Sequence, residues 1–118
     1  RADHRAWHRH LVTAFNSMLG AVAGAGDAAR ARGLVRHMQA LGLQPDAVTY
    51  NELLRAELAQ THSDTRDAEV FGVMEDMRAA GVPANAHIYT TLLAARVRMG
   101  NLEGAKQLLG KAVQEGVL

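Results

Sequence analysis

Three groups of side chains in this sequence could do chemistry. His4 and His8 stand four residues apart, the spacing of two metal ligands on one helix face. No glutamate follows His4 as a metalloprotease helix would require, and no third ligand is evident, so the pair reads as a solvated face or as packing on Trp7. Asp64, Asp67 and Glu69 form a small acidic cluster whose spacing suits helix capping and solvation better than acid–base work. The third group recurs. Asn16 and Asn51 each follow an aromatic residue, Phe15 and Tyr50, early in segments of similar pattern. An amide both donates and accepts hydrogen bonds. Helix propensity gives asparagine no reason to recur beside an apolar stripe. Asp46 and Asn85 stand at junctions where an N-cap belongs, and capping needs nothing beyond Asp or Asn.

The elements that must position these residues repeat along the chain. Val12–Leu19 aligns with Ala47–Leu54 and with Ala86–Leu93, which places the aromatics Phe15, Tyr50 and Tyr89 at intervals of 35 and 39 residues. Met38-Gln39-Ala40-Leu41-Gly42, Met77-Arg78-Ala79-Ala80-Gly81 and Ala112-Val113-Gln114-Glu115-Gly116 align at intervals of 39 and 35. The second unit therefore carries four extra residues between Leu54 and Met77, expected in a polar turn at Gln60-Thr61-His62-Ser63-Asp64. A period of about 35 with two amphipathic segments per unit is the mark of an α-solenoid. The expected units are 12–46, 47–85 and 86–118, after a lead-in or degenerate helix over 1–11.

Punctuation gives the helix limits. Gly24 and Gly26 end a first helix over Leu11–Ala23, and Asp27 caps a second over Ala28–Leu41, closed by Gly42 in the left-handed role. Pro45 stops continuation and Asp46 caps a third helix over Ala47–Ala59. A fourth is expected from about Thr65 to Ala80, with Asp64, Thr65 and Asp67 as rival caps. Ala86–Met99 and Leu102–Glu115 follow, joined by Gly100-Asn101. Phe15, Tyr50 and Tyr89 fall on the inward stripe with Met38 and Met77, so these aromatics are expected in the core rather than as stacking platforms.

Composition narrows the function classes. No apolar run approaches 18 residues, so no transmembrane helix is expected. There is no cysteine, which excludes disulfides and cysteine-based zinc sites. No strand, and so no glycine-rich phosphate loop after one, is legible. No enzyme, cofactor or small-molecule substrate is expected. The net charge of +1 gives little general attraction for a polyanion. The chain opens at Arg1 and reads as a slice of a longer protein.

The motif Val48-Thr49-Tyr50-Asn51-x-Leu53-Leu54, the Met-x-x-x-Gly endings, Gly with Asp27 or Asn101 at the inner turns, and Pro45-Asp46 at the junction resemble the pentatricopeptide repeat family over about Val12–Leu118. The tetratricopeptide alternative lacks its Trp-x-x-Leu-Gly-x-x-Tyr first helix. The resemblance implies a right-handed superhelix of helical hairpins that binds single-stranded RNA in a mitochondrion or chloroplast, one base per repeat. It implies base contact by the fifth residues, Asn16, Asn51 and Thr90, and by the last residues, Asp46 and Asn85. Uracil is implied for the first unit, a pyrimidine with cytosine first for the second, and a purine for Thr90. Thr13, Val48 and His87 would sandwich bases, although the family usually has valine there. Arg55 and Arg98 are the phosphate candidates. Because they are few, a docking scaffold for organellar ribosome or polymerase proteins is the rival expectation.

Overall fold

The computed structural model describes the backbone of residues 4–59 and 63–118, and the side chains of 7–59, 70 and 72–118. Six α-helices make up its regular structure: α1 His4–Gly24, α2 Ala28–Ala40, α3 Ala47–Leu58, α4 Ser63–Ala79, α5 Ala86–Arg98 and α6 Leu102–Gln114. The first helices α1, α3 and α5 pack side by side, and α2, α4 and α6 each lie against the first helix of their own unit, with α2 also reaching α3. The result is an α-solenoid, 54 × 31 × 20 Å along its principal axes. Its radius of gyration, 14.9 Å, exceeds the roughly 13.5 Å of a compact domain of this length, as a stacked array requires.

The turns form as the punctuation dictates. Gly42 and Gly81 adopt φ of 81° and 76°, the left-handed region where a Cβ is costly. Each lets the next amide turn back onto the helix: Leu43 N–H donates to the Met38 carbonyl and Val82 N–H to the Met77 carbonyl, both at 2.9 Å. Asp27, Asp46, Asn85 and Asn101 all accept at their side-chain oxygens from the third amide of the helix that follows. Each such cap is worth about 1 kcal/mol.

Two helix limits differ from expectation. α1 is already helical from His4, ahead of Leu11, because no glycine or proline stands between His4 and Leu19 to stop a helix. The second unit takes up its extra length in α4, which has 17 residues against 13 in α2 and in α6. Ser63 and Asp64, expected in the turn, are helical. Four residues are close to one helical turn of 3.6, so the extension shifts the register of the inward face by only about 40°. Gln60, Thr61 and His62 lie outside the described residues, as do the side chains of Asp64, Thr65, Asp67 and Glu69.

The core runs between the two layers. Phe15, Leu19, Val35, Met38, Tyr50, Leu54, Val73, Met77, Ile88 and Leu92 are all buried in one continuous cluster, so the aromatics are core residues. Tyr89 is buried too, and its hydroxyl donates to Glu115 Oε1 at 2.5 Å, tying α5 to the end of α6. Burial, the Glu115 bond and the Glu115 charge push the Tyr89 phenol up from 10.0 to about 12. An unfolded tyrosine loses its proton near 10, before the folded one does. The stability from this contact is therefore intact below pH 10 and falls as pH rises from 10 towards about 12. Tyr89→Phe is expected to flatten that part of the pH dependence, as read from urea midpoints on either side of pH 10. An unchanged slope would remove Tyr89 as its source.

Candidate nucleic-acid interface

The helices that open the second and third units start at the capped junctions Asp46 and Asn85, and the repeat alignment sets the first-unit residues of α1 on the equivalent face. The second positions, Thr13, Val48 and His87, are all exposed. The fifth positions are graded: Asn16 is half-buried, Asn51 is 3% exposed and Thr90 is exposed. The last positions, Asp46 and Asn85, are exposed N-caps.

The first pair is brought together. Asn16 Nδ2 donates to Asp46 Oδ1 at 3.1 Å, across 30 residues of sequence. The same Asp46 oxygen accepts from Thr49 N–H at 3.0 Å, while Asp46 N–H donates to Thr49 Oγ1 at 3.1 Å, completing a capping box. The Thr49 hydroxyl stands 2.6 Å from Asn16 Oδ1 and 3.0 Å from Asp46 Oδ1. It has one proton, and the shorter contact takes it. Asp46 Oδ2 and the second Nδ2 proton of Asn16 then have no partner among the described residues, leaving one acceptor and one donor on this side of the array.

The second pair is built differently. Asn85 Oδ1 accepts from Ile88 N–H at 2.9 Å and makes no bond to Asn51. Asn51 Oδ1 instead faces the Thr91 hydroxyl at 2.9 Å, and that hydroxyl is also 2.9 Å from the carbonyl of His87. Ile88 fills the place that Thr49 holds one unit earlier and brings no hydroxyl, so Thr91 reaches across from α5. Thr90 donates to the His87 carbonyl of its own helix, at 2.9 Å.

Thr49 and Thr91 are the site residues that sequence reasoning missed. Asp46-Ala47-Val48-Thr49 has capping-box spacing, and that signal could have found the first. Only the fold exposes the second.

Arg55 and Arg98 converge. Both line a hollow of about 260 Å³ together with Gly24, Ala59 and Thr91, and both border a groove of about 510 Å³ with Asn51, Glu52, His87, Thr91 and Ala94. Arg55 is ion-paired with Glu52, three residues before it. Arg98 has no partner among the described residues. The groove thus holds two guanidinium groups and one carboxylate, which would draw a phosphate weakly and at short range.

Among the described residues no group of three side chains could hold a metal, and no helix is long and apolar enough to cross a membrane. His8 is exposed, and the side chain of His4 lies outside the described residues.

The chain is similar over 91% of its length to two solved structures of the pentatricopeptide repeat protein PPR10, each in complex with an 18-nt psaJ RNA element, one being a cysteine-to-serine variant. Identity is 28% and the TM-score 0.76 for both, and the match spans 15% of the PPR10 chain. No curated protein matches. The model of the pentatricopeptide repeat domain matches residues 10–56, 33–75 and 72–118, nearly the whole sequence. With that coverage, and with helices paired and stacked as a solenoid, the chain belongs to the pentatricopeptide repeat family.

Proposed function

We propose that this segment binds single-stranded RNA with base selectivity, as part of a longer factor for RNA processing or expression in a mitochondrion or chloroplast. The observation that carries the reading is the bond between Asn16 and Asp46, which gathers two base-sized hydrogen-bonding groups beside the exposed Thr13 and Val48. The RNA held by the similar PPR10 structures supports the choice of ligand.

In the first unit the free Asn16 N–H and the Asp46 Oδ2 offer a donor beside an acceptor. Uracil meets them with O4 and N3–H on its Watson–Crick edge. In the second unit the Ile88 amide occupies Asn85 Oδ1, and when Thr91 donates to Asn51 Oδ1 the amide N–H groups of both remain. Cytosine offers N3 and O2 as adjacent acceptors, which gives a pyrimidine with cytosine first. Thr90 would favour a purine in the third unit. Thr13, Val48 and His87 would supply contact to the base faces, while Arg55 and Arg98 meet phosphate.

The test is selection of RNA by the intact protein from a randomised single-stranded pool at near-physiological salt. The expected result is an enriched motif with adjacent pyrimidines, erased by Asn16→Ala combined with Asn51→Ala. Losing two charge-neutral base contacts of about 1 kcal/mol each predicts a fall of roughly 30-fold in preference for the motif. Enrichment indifferent to those changes, or no RNA binding at all, would instead favour a scaffold that docks ribosomal or polymerase proteins.

A further inference from the structure

Thr49 and Thr91 stand outside the positions assigned to base contact, yet each holds the reading amide of the unit before it. They do so from different places, the third residue of one unit and the sixth of the next. Their hydrogen-bond circuits differ in a way that bears on selectivity.

Asn16 has one permitted orientation. A carboxylate accepts and cannot donate, so the amide atom 3.1 Å from Asp46 Oδ1 has to be Nδ2. That turns Oδ1 onto Thr49, whose hydroxyl receives the Asp46 N–H on one side and gives its own proton to Asn16 at 2.6 Å on the other. Turning the amide over would set its oxygen against the carboxylate and its N–H groups against a hydroxyl already receiving a proton. Thr49 is fully buried, so no water competes for its hydroxyl.

Asn51 has two. Its one protein partner among the described residues is the Thr91 hydroxyl, which can donate or accept. If Thr91 donates to Asn51 Oδ1, the amide shows N–H groups to the groove. If Thr91 donates to the His87 carbonyl, equally distant at 2.9 Å, it can accept from a turned-over Asn51, which then shows its oxygen. Both arrangements give the Thr91 proton an acceptor.

We infer that Thr49 and Thr91 are positioning residues that set how strictly each unit discriminates between bases: Thr49 locks Asn16 in one orientation, and Thr91 leaves Asn51 two. The first unit is then strict for one pyrimidine, and the second accepts both, because one orientation meets the N3 acceptor of cytosine and the other the N3–H donor of uracil. This rests on the RNA-binding reading above.

The experiment is selection by the intact protein from a randomised single-stranded RNA pool, with base frequencies read by sequencing and Tm recorded for each variant. Asn16→Ala identifies the position in the motif that the first unit reads. At that position the unaltered protein should prefer uracil over cytosine by at least about tenfold, in line with a two-contact readout. Thr49→Val keeps the shape, removes the proton and should bring that ratio below about threefold, the loss of one ordering hydrogen bond. Thr49→Ser should restore it at unchanged Tm, and the second position should not move.

Thr91→Val, at a half-buried site, carries the second half. It should alter the ratio of cytosine to uracil only at the second position, which in the unaltered protein stays within about threefold. If Asn16→Ala erases the first preference and Thr49→Val leaves it intact, the positioning role is wrong while base reading stands. If Asn16→Ala erases nothing, base reading itself fails, and the positioning role fails with it. A second position as strict as the first would overturn the two-orientation account of Asn51.

Discussion

Leu54→Ala is expected to lower the unfolding free energy by about 3 kcal/mol, the mid-range cost of removing a fully enclosed leucine side chain. Leu54 is 0% exposed and lies on α3, the helix that touches α1, α2, α4 and α5. The loss combines the transfer of the removed methyl-bearing atoms with the void left behind, and close packing on every side limits how far that void can collapse. Position makes the change worse. In a stacked array each unit is held chiefly by its neighbours, so loosening the middle helix weakens both junctions together. A small array with total stability of the usual 5–15 kcal/mol would lose a large fraction of it. Urea unfolding followed by circular dichroism measures the effect, with Leu109→Ala as the contrast. Leu109 is 45% exposed on α6, and its removal should cost under about 0.5 kcal/mol. Equal effects from the two changes would mean that α3 does not carry the packing assigned to it.

The place of α3 between its neighbours follows from the sequence for a physical reason. Gly42, Gly81, Pro45, Asp46 and Asn85 act locally, through backbone geometry and caps, so their sequence positions fix where helices end. The repeat spacing then fixes which helices are neighbours. The misplaced starts at α1 and α4 share one cause. Residues before Val12 and around Ser63 fall outside the repeat alignment, which therefore sets no helix limit there, and an exposed helical turn accepts polar residues readily. The candidate site divides along the same line. Asn16 meeting Asp46 follows from repeat register, because the fifth residue of one helix lies beside the cap of the next. Asn51 meeting Thr91 does not follow from register. It depends on Ile88 occupying the third position and on a hydroxyl three residues later pointing the right way, and both are facts of side-chain direction across two helices. Glu52 is a similar case. Its pairing with Arg55 weakens one of the two expected phosphate contacts, as a count of basic residues cannot foresee.

Arg32→Met is expected to cost about 3 kcal/mol, by withdrawing a guanidinium from a carboxylate held out of water. The Glu57 side chain is 2% exposed, and Arg32 Nη1 approaches its Oε2 at 2.5 Å across the α2–α3 contact. Arg32 is itself 41% exposed, so its own charge costs little to hold; the penalty falls on Glu57. If so, Arg32→Met combined with Glu57→Leu should recover most of the loss, since apolar side chains of similar volume can pack as well as a buried ion pair. A double-mutant cycle in urea gives the coupling directly, and near-additive losses would argue against a strong pair. The same variant separates folding from recognition. Arg32 and Glu57 border a cavity of about 380 Å³ with Val35, Tyr50, Val73 and Asp76, whereas Asn51, Glu52 and Arg55 turn to the groove beside α5. Removing Arg32 should therefore reduce the folded fraction near the unfolding midpoint and leave the ratio of selected bases untouched at temperatures where the protein is folded. A shift in that ratio would mean that the outer cavity and the reading groove are mechanically coupled through α3, and that base preference is a property of the whole stack rather than of Asn16 and Asn51 with their hydroxyl partners.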